Sequence, residues 1–412
     1  MHVHRPLRSE RSNAQSEFAF FVTAARGTEV WVQREALALG AREAKAVPGG
    51  VHVVGPFATG YRLCLWSRVG QRVLLPLATV AAADAQALYE GAMTIDWGAH
   101  MTLDTRFEVE CTAATDTSIR HTHFAALKVK DAIADSFRHR YGGRPSVGRQ
   151  GVRLTVHVYL HGSSASLAID LSGEPLYKRG YRGEQTEAPL KETLAAALLY
   201  AADWPERLRR GDLLVDPFCG SGTIVIEAAL MAGNRAPGLT RTHFGFLAWK
   251  RHDAELWHLL VEEARQQDRT AQMSQPLVYG SDISQRALAL AQEGAKRAGV
   301  GRLIRFARCD ARSLAPPGRN GIVVTNPPYG VRLAKGDLDE LYASLGDTLR
   351  RRFLGWTAFI FTGNPAAAKR IGLRPDRRFE LWNGPIECRL LRFPISAAPV
   401  AGEGPHWRRS GK

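Results

Sequence analysis

The feature that most constrains the fold is a series of short apolar segments between residues 212 and 361, separated by stretches with the apolar spacing of helices. Strands that alternate with helices in this way form βα units in a parallel sheet. We therefore predict an α/β, Rossmann-like domain at 189–396, with an insertion at 233–276. Its predicted strands are 212–216, 277–281, 303–307, 321–325, 357–361 and 388–393, and its predicted helices are 191–202, 223–232, 254–267, 284–297 and 338–353.

Two smaller α+β units are predicted before this domain. The first, a ferredoxin-like unit at 17–80, has predicted strands at 18–22, 51–54 and 71–77 and helices at 29–39 and 58–68. The second, at 81–171, has predicted helices at 82–91 and 119–140 and strands at 106–111, 152–161 and 164–170. Residues 172–188 are rich in Gly and Pro and predict a linker. A disordered leader is expected at 1–16 and a flexible tail at 397–412.

The composition favours a polyanionic partner. The 412 residues include 55 Lys and Arg against 40 Asp and Glu, a formal net charge of +15, which indicates nucleic acid more than membrane. No apolar stretch approaches the ~20 residues of a membrane helix, and the N-terminus lacks the apolar core of a signal peptide, so a cytoplasmic protein is expected. The five cysteines are scattered without CxxC spacing, which argues against disulfides and against a metal site.

The most basic segment is the predicted helix at 119–140 with the loop after it. Between Ile119 and Arg153 there are eight basic residues and two acidic ones, with aromatic side chains interleaved. This combination is typical of surfaces that neutralise phosphates and stack unpaired bases, and a solvated helix face is the alternative. We expect Phe124 and Phe137 to belong to the core. The candidate RNA-binding residues are Lys128, Lys130, Arg138, Arg140, Arg144 and Arg149.

Residues 321–330 combine an apolar strand with the polar end Asn326-Pro327-Pro328-Tyr329, whose four residues are the candidate catalytic residues. The prolines lack N–H donors, so the strand should stop there and leave Asn326 and Tyr329 at the carboxyl edge of the sheet, where ligands bind. The Asn326 side-chain oxygen and the Pro327 carbonyl can each accept one hydrogen of an exocyclic amine. Tyr329 can stack on the ring that carries this amine. A proline-stiffened turn is the alternative explanation.

A glycine loop follows the predicted strand at 212–216, and Thr223 starts the next helix. Gly220 and Gly222 allow close approach of the backbone to a ligand, and the helix N-terminus offers free N–H groups. Val225 stands where a dinucleotide-binding loop has its third glycine, and the G-K-[ST] of a Walker loop is absent, so phosphate is not the obvious ligand. The candidate ligand-binding residues of the loop are Asp216, Phe218, Cys219, Gly220, Ser221 and Gly222.

Two further strand ends carry acidic residues. Asp282, followed by Ile283, can accept hydrogen bonds from two ribose hydroxyls. Asp310, followed by Ala311, can accept from an adenine amino group, and an ordinary helix cap is the alternative for this residue. Together with the glycine loop, these residues describe a site for a nucleoside with an aminoacyl end. Such a nucleoside beside an amine-binding tetrapeptide is what methylation of an amino group needs.

The sequence resembles the THUMP-domain class I methyltransferases, and among them the RlmL-like guanine-N2 methyltransferases of 23S ribosomal RNA. The blocks that carry the resemblance are 65–68, 127–133, 170–173, 179–182, 189–197, the Asp216 loop, 235–239 and 326–330. The resemblance implies S-adenosylmethionine as cofactor, a THUMP domain as the second unit, and N2-methylguanine in 23S rRNA, or in a large-subunit precursor, as product. It also implies that residues 189–193, with Lys191 and Thr193, wrap over the cofactor. We expect a monomer.

Many members of this family carry a second methyltransferase domain that forms 7-methylguanine, and this activity is expected to be absent because the sequence ends after the predicted tail. Transfer RNA methylated at guanine N2 is the nearest alternative, and the tetrapeptide alone does not exclude adenine or cytosine in DNA. A non-catalytic RNA-binding factor for ribosome assembly is the alternative from another class. The intact Asp216, Asp282, Asn326 and Tyr329 argue against it.

Overall fold

The computed structural model describes residues 17–148, 151–183, 190–329 and 335–396. In these ranges the strands form two sheets, and the predicted architecture of α+β units ahead of a mostly parallel α/β sheet is confirmed. The predicted leader, Arg149, residues 184–188 of the predicted linker and the predicted tail lie outside the described residues.

The first sheet and its helices come from the residues before 171. Its strands are β1 (Phe18–Thr23), β2 (Glu43–Val47), β3 (Gly50–Gly55), β4 (Arg72–Ala81), β5 (Arg106–Ala113), β6 (Ser146–Val147), β7 (Leu154–His161) and β8 (Ser164–Asp170). Its helices are α1 (Glu29–Ala38), α2 (Phe57–Trp66), α3 (Ala85–Met93) and α4 (Thr122–Tyr141). The strand order is β2-β3-β1-β4-β8-β7-β5-β6. Because β4 pairs with β8 from Leu74 to Ala81, the two predicted α+β units share one continuous sheet.

Two strands of this sheet, β2 and β6, were not predicted. β2 reads Glu-Ala-Lys-Ala-Val and has no fully buried side chain, while β6 has only two residues. Both lie at the edges of the sheet, where β2 pairs only with β3 and β6 only with β5. An edge strand is held by backbone hydrogen bonds on one side and needs little apolar surface, so its sequence pattern is weak.

The second sheet comes from the residues after 212. Its strands are β9 (Leu213–Asp216), β10 (Val278–Asp282), β11 (Ile304–Arg308), β12 (Gly321–Thr325), β13 (Thr357–Thr362), β14 (Arg377–Asn383) and β15 (Ile386–Pro394). Its helices are α5 (Glu192–Ala201), α6 (Trp204–Arg209), α7 (Thr223–Ala232), α8 (Ala254–Gln267), α9 (Gln285–Arg297), α10 (Lys335–Arg352) and α11 (Pro365–Lys369). The order is β11-β10-β9-β12-β13-β15-β14, with β9 to β13 parallel and the last two strands antiparallel to their neighbours.

The strand order of the second sheet reverses at β9. β10 and β11 are added on one side of β9, and β12 then returns to pair with β9 on its other side. In register, Val215 of β9 lies between Tyr279 of β10 and Val323 of β12. The carboxyl ends of these three strands therefore meet at a topological switch point, where open α/β sheets bind their ligands.

Elements with strong apolar spacing match the predictions closely. The predicted bounds are confirmed for 321–325 as β12, 223–232 as α7 and 254–267 as α8. The short helices α6 and α11 and the strand β14 were not predicted. β14 reads Arg-Arg-Phe-Glu-Leu-Trp-Asn, lies at the edge of the sheet and pairs only with β15. As in β2, charged and exposed residues interrupt the apolar ones.

The two phenylalanines of α4 differ in their surroundings. Phe137 is 1% exposed, as predicted, whereas Phe124 is 47% exposed, so the prediction that it belongs to the core was wrong. The buried stripe of the helix runs through Ala125, Val129 and Ile133. Phe124 is displaced from this stripe by one residue, about 100° around the helix, and therefore points outward.

The described part of the predicted linker, 172–183, is packed against both parts of the chain. Arg179 is 1% exposed. Its guanidinium donates to the carbonyl oxygens of Ser67, at 3.2 Å, and Arg68, at 2.5 Å. Arg68 in turn donates to the carbonyl oxygen of Arg235 at 2.9 Å. These buried hydrogen bonds join the end of α2 to the second sheet's domain and fix the relative position of the two sheets.

Candidate active site

The glycine loop lies at the carboxyl end of β9. Gly220 has a φ of +53°, and a Cβ at this position would meet no atom within 4 Å, so the loop faces open space there. Gly222 has a φ of +86°, and a Cβ would lie 2.9 Å from the Cβ of Ala291 in α9. Both positions favour glycine because of their conformation, and Gly222 also because α9 packs closely. A ligand can therefore approach the backbone at Gly220.

Asp216 connects the ends of two neighbouring strands. It is 1% exposed, and its Oδ1 accepts hydrogen bonds from Thr325 Oγ1 at 2.6 Å and from the Phe218 N–H at 3.1 Å. Burial, together with a smaller effect of the nearby charge of Asp282, raises the pKa of Asp216 to about 7, although both hydrogen bonds oppose the shift. This carboxylate therefore fixes the start of the glycine loop against the end of β12.

Asp282 ends β10 and holds the glycine loop from the other side. Its Oδ2 accepts from the Gly220 N–H at 3.0 Å, and its Oδ1 accepts from the Ser284 N–H at 2.8 Å. Its side chain is partly exposed. Each carboxylate oxygen has capacity for a further hydrogen bond. The carboxylate is thus oriented by the backbone and still accessible to hydroxyl donors.

The residues that follow β10 and β11 lie side by side. The Cys309 N–H donates to the Asp282 carbonyl at 3.2 Å, which places the end of β11 next to the end of β10. Ile283 is 65% exposed, a large apolar surface next to a polar site. Asp310 accepts from the Arg312 N–H at 2.9 Å and from the Arg312 guanidinium at 2.6 Å, and these hydrogen bonds lower its pKa. Asp310 therefore caps the short 3₁₀ helix Ala311–Ser313 and is paired with Arg312. Ala311, which follows it, is buried.

The start of α5 lies next to the start of α7. Arg182 donates from Nη2 to the Leu190 carbonyl and to Thr223 Oγ1, each at 2.9 Å, and its Nε lies 3.2 Å from Glu192 Oε1. Burial raises the pKa of Glu192 to about 7, although the charge of Arg182 opposes the shift. Arg182 therefore fastens residues 190–192 beside the glycine loop.

The two predicted cofactor contacts on α5 have different surroundings. Thr193 is 2% exposed, and its Oγ1 has no hydrogen-bond partner among the described residues. Lys191 caps the helix from an exposed position, with its Nζ 4.9 Å from the centroid of the Tyr177 ring. Of these two side chains, only that of Thr193 is buried and without a partner among the described residues.

Asn326 follows β12 at the switch point. Its Oδ1 is buried and has no hydrogen-bond partner among the described residues. Pro327 is buried and Pro328 is exposed. A buried hydrogen-bond acceptor without a donor lowers the stability of the fold by ~1–3 kcal/mol. Such an acceptor is typical of a site where a ligand supplies the donor. The side-chain oxygen that was predicted to accept from an amine is therefore free of partners within the described ranges.

Tyr329 is held in a fixed position by β14 and by the end of β13. Its hydroxyl oxygen accepts from Asn383 Nδ2 at 2.8 Å, and burial raises its pKa to about 12. The ring lies against Gly363, where a Cβ would be 3.0 Å from Cδ2 and from Cε2. Its centroid is 6.4 Å from that of Phe361 in an edge-to-face arrangement. The ring therefore has one defined orientation before any ligand binds.

Four residues of this edge escaped the sequence-based prediction. Thr325 and Asn383 position Asp216 and Tyr329, Arg182 fastens the start of α5, and Ser281 contributes a buried Oγ without a partner. Thr325 and Ser281 directly precede the predicted residues Asn326 and Asp282. Their position at the ends of predicted strands could therefore have identified them. Asn383 lies on the unpredicted strand β14, and nothing in its local sequence connects it with Tyr329.

The predicted RNA-binding residues, unlike those at the carboxyl edge of the second sheet, do not form one cluster. Three of them are in ion pairs: Lys130 with Asp131, Arg138 with Asp135 and Arg140 with Asp96. The other two described ones, Lys128 and Arg144, form no ion pair with an acid in the described ranges, and Lys128 Nζ lies 5.6 Å from the Phe124 ring centroid. The side chains therefore form a dispersed basic region.

Other site types find no support in the described residues. All five cysteines are free thiols. No group of three or more His, Cys, Asp or Glu within 17–148, 151–183, 190–329 and 335–396 is arranged to hold a metal ion. In the same ranges, no helix is both long and apolar enough to cross a membrane.

The carboxyl edge of the second sheet fits a nucleoside with an aminoacyl end. Three buried side-chain atoms that have no partner in the described part of the chain lie here: Thr193 Oγ1, Ser281 Oγ and Asn326 Oδ1. The open space at Gly220 and the oriented carboxylate of Asp282 add room and acceptors. A site with these features on a sheet of this order defines a class I methyltransferase, whose cofactor is S-adenosylmethionine.

The chain belongs to the RMKL-like methyltransferase family, because the model of that methyltransferase domain matches residues 179–392. The models of the RlmL ferredoxin-like domain and of the THUMP domain match residues 19–74 and 82–170. The predicted kinds of domain, and the resemblance on which the THUMP prediction rested, are thereby confirmed.

Individual relatives agree with this membership. Ribosomal RNA large subunit methyltransferase K/L of Syntrophotalea carbinolica is 45% identical over 382 residues, which are 92% of this chain and 53% of that protein. The chain thus spans about half the length of the curated relatives it matches. Among solved structures, SMU.472, assigned as a methyltransferase and solved with SAH, has a TM-score of 0.82 at 28% identity, covering 93% of this chain and all of that one.

A second solved structure carries a different substrate in its name. It is a predicted N6-adenine-specific DNA methylase from Listeria monocytogenes, with a TM-score of 0.81 at 30% identity over 94% of this chain and 98% of that one. Both solved proteins share nearly the whole described architecture. The expected S-adenosylmethionine dependence is confirmed by the fold and by the neighbour that binds SAH.

Proposed function

We propose that this protein transfers a methyl group from S-adenosylmethionine to the N2 amine of a guanine in 23S ribosomal RNA. The observation that carries the proposal is the buried, unpartnered Oδ1 of Asn326 at the switch point of a methyltransferase sheet. The ribosomal substrate is supported by the names of the curated relatives, which are ribosomal RNA large subunit methyltransferases. A ribosomal substrate also implies a cytoplasmic location.

The acceptors at the tetrapeptide explain how the amine is activated. The N2 amine of guanine has two hydrogens, which Asn326 Oδ1 and the Pro327 carbonyl accept. Its lone pair is delocalised into the ring, and acceptors on both hydrogens favour a more tetrahedral nitrogen and stabilise its developing positive charge. When bound, the cofactor supplies an electrophilic methyl group on sulfur. The methyl–sulfur bond would break as the methyl–nitrogen bond forms, leaving SAH, and the methylated nitrogen would then lose one proton to water. The protein therefore needs no strong base before attack and acts mainly by positioning.

Tyr329 receives the base that carries the amine. A base inside a folded RNA helix is hidden, so it must be flipped out or already unpaired. Stacking on an aromatic ring contributes ~1–3 kcal/mol per base, and Asn383 fixes the ring in advance. Pro328, which is exposed, borders the path of the base.

The cofactor site that we propose extends over three strand ends and the start of α5. Asp282 accepts from the ribose hydroxyls, Ile283 and Ala311 flank the adenine, and Asp310 accepts from its amino group on the side away from Arg312. The loop of Asp216, Phe218, Cys219, Gly220, Ser221 and Gly222 surrounds the aminoacyl end, and Thr193 with Lys191 covers it. Thr193 Oγ1 is buried and has no partner among the described residues, so a ligand can supply one.

The THUMP domain and the helix α4 supply further contacts to RNA in this proposal. Lys128 and Arg144 have no acidic partner in the described part of the chain and are the first candidates for phosphate contacts, followed by Lys130, Arg138 and Arg140. We propose that the protein acts as a monomer on 23S rRNA or on a precursor of the large subunit.

The test is methyl transfer in vitro with labelled S-adenosylmethionine and purified 23S rRNA, transfer RNA and DNA, followed by digestion to nucleosides. Label in N2-methylguanine of 23S rRNA is expected. Label in transfer RNA alone indicates the alternative substrate of the same family, and label in adenine of DNA indicates the activity named for the Listeria relative. If calorimetry detects no binding of S-adenosylmethionine, the protein is a non-catalytic RNA-binding factor.

A further inference from the structure

A turn of the N-terminal unit reaches the strand beside the tetrapeptide. Arg26 lies in the turn between β1 and α1, and its Cζ is 4.2 Å from the centroid of the Trp382 ring in β14. The other cation–ring distances in the described ranges are 4.9 Å or more. Trp382 directly precedes Asn383, which donates to Tyr329. Trp382 and Asn383 are successive residues of the edge strand β14, so their side chains point to opposite faces of the sheet, and Arg26 lies across this strand from the group that contacts Tyr329.

The turn that carries Arg26 is rigid. The Glu29 carboxylate accepts from the Gly27 N–H at 2.8 Å and from the Gly49 N–H at 3.1 Å, which ties the turn to the loop before β3. Gly27 has a φ of +87°, and a Cβ there would lie 2.5 Å from the Glu380 carbonyl oxygen, so the turn abuts β14 directly. An arginine on a fixed turn loses little further backbone freedom when it binds a ligand.

The charge of Arg26 has no partner in the described part of the chain. The side chain is exposed and forms no ion pair with a described carboxylate. Glu387 lies opposite Trp382 in the register of β14 and β15, but its carboxylate pairs with Arg389 at 3.5 Å. Packing between the units does not require the charge, because Trp31 and Phe379 already make an apolar contact with ring centroids 6.5 Å apart.

The hairpin of β14 and β15 borders the place where the base would bind. A Cβ on Gly363 would lie 3.0 Å from the Tyr329 ring and 3.0 Å from Ile386 Cγ2, so the hairpin tip and the tyrosine are neighbours. Ile386 is 48% exposed. A base that stacks on Tyr329 must bring the sugar and phosphate on either side of it past this rim.

We propose that Arg26, stacked on Trp382, binds a phosphate of the RNA strand next to the target base and positions that strand. The inference rests on the proposed function, since it assumes that an RNA base reaches Asn326 and Tyr329. A guanidinium that lies flat on an indole keeps its N–H donors at the ring edge, where they can bind a phosphate with two hydrogen bonds. The formal net charge of +15 favours such a polyanionic partner.

The test compares Arg26→Gln and Arg26→Ala with the control Arg377→Ala. Arg377 is also exposed and lies 5.1 Å from the Phe379 ring centroid, but it is at the far end of β14, about 17 Å from Trp382 along the strand. The affinity of each protein for a single-stranded fragment of 23S rRNA is measured by fluorescence anisotropy over a range of salt concentrations. Both Arg26 variants should bind about tenfold more weakly at low salt, and their salt slope should fall by about 0.7, the value for one phosphate.

The control and wild-type protein should share one affinity and one salt slope. Equal binding by Arg26→Gln and wild type would overturn the inference, and so would equal losses in Arg26→Gln and Arg377→Ala. An unchanged salt slope with a lowered melting temperature would assign Arg26 to domain packing instead, which also contradicts the proposal. Failure of the proposed function has a different readout, because it appears as absence of methyl transfer by the wild-type protein in the separate assay.

Discussion

The carboxyl edge of the second sheet and the basic helix α4 were both predicted as binding regions, yet the structure organises them very differently. At the sheet edge, Asp216, Asp282 and the tetrapeptide are brought together by parallel strands in fixed register. On α4, Arg138 and Arg140 are paired with acids and Phe124 is exposed. Side chains at the carboxyl ends of parallel strands lie close together because the strands share one edge of the sheet. Charged side chains of a helix instead point in different directions around the helix axis. Single substitutions should therefore have large, distinct effects in the first region and small, graded effects in the second.

The largest effect is expected for Asn326→Ala. Loss of the amine acceptor should lower the turnover number by about a thousandfold, in the range of a lost transition-state hydrogen-bond group, while the affinity for S-adenosylmethionine changes less than twofold. Single-turnover methylation and calorimetry measure the two quantities. Asn320→Ala is the matched control, since Asn320 is exposed just before the opposite end of β12. Similar turnover of the two variants would remove Asn326 from the catalytic role.

Asp282→Ala should weaken cofactor binding instead. A buried hydroxyl that loses a charged acceptor costs about 1.5–3 kcal/mol, which is roughly a tenfold to hundredfold rise in the dissociation constant. The variant also releases the Gly220 N–H, so part of the loss reflects a less ordered loop. Calorimetry with S-adenosylmethionine and with SAH checks the prediction, and unchanged affinity for both would exclude Asp282 from the site.

The pH dependence of stability should report on Asp216. Its folded-state pKa of about 7 lies above that of the unfolded chain, so its contribution to stability is full at pH below about 4 and is lost as pH rises through 7. Asp216→Asn should remove this dependence, worth up to about 4 kcal/mol at 1.36 kcal/mol per unit. Denaturant unfolding between these pH values measures it, with the exposed helix cap variant Asp84→Asn as control. Parallel curves for wild type and Asp216→Asn would refute the assignment.

The smallest effects are expected on α4. Lys128→Ala should weaken binding of 23S rRNA about threefold, because a single phosphate contact in a dispersed region contributes little. Arg138→Ala should weaken it less, since Asp135 already neutralises that guanidinium. Filter binding of RNA at several salt concentrations distinguishes the two variants. A loss larger than that of Arg26→Gln in either one would show that α4, and not the rim of the active site, dominates RNA binding.

The same contrast explains how far the sequence could predict the molecule. β12, α7 and α8 were predicted with their bounds because apolar periodicity defines buried elements. Asp216 and Asn326 could be placed at one edge because parallel strands share their carboxyl ends. β2 and β14 could not be predicted, since edge strands bury little. Contacts between distant segments, such as Asn383 with Tyr329, depend on tertiary packing that has no local signal.

Composition was the weaker guide at the surface. It correctly indicated a basic chain, but it could not separate Lys128, which has no acidic partner in the described ranges, from Arg138, which has one. The position of Phe124 followed from a displacement of one residue relative to the buried stripe of α4. Whether a helical residue is exposed depends on its angular position relative to the buried stripe. The numbers of basic and aromatic residues in a segment carry no information about that position.

The most direct test of the central claim is mass spectrometry of nucleosides from 23S rRNA of a strain that lacks this protein. We predict that N2-methylguanine decreases by one residue per 23S rRNA, that the wild-type chain restores it, and that Asn326→Ala does not. Unchanged N2-methylguanine in the deletion strain, or full restoration by Asn326→Ala, would contradict the account.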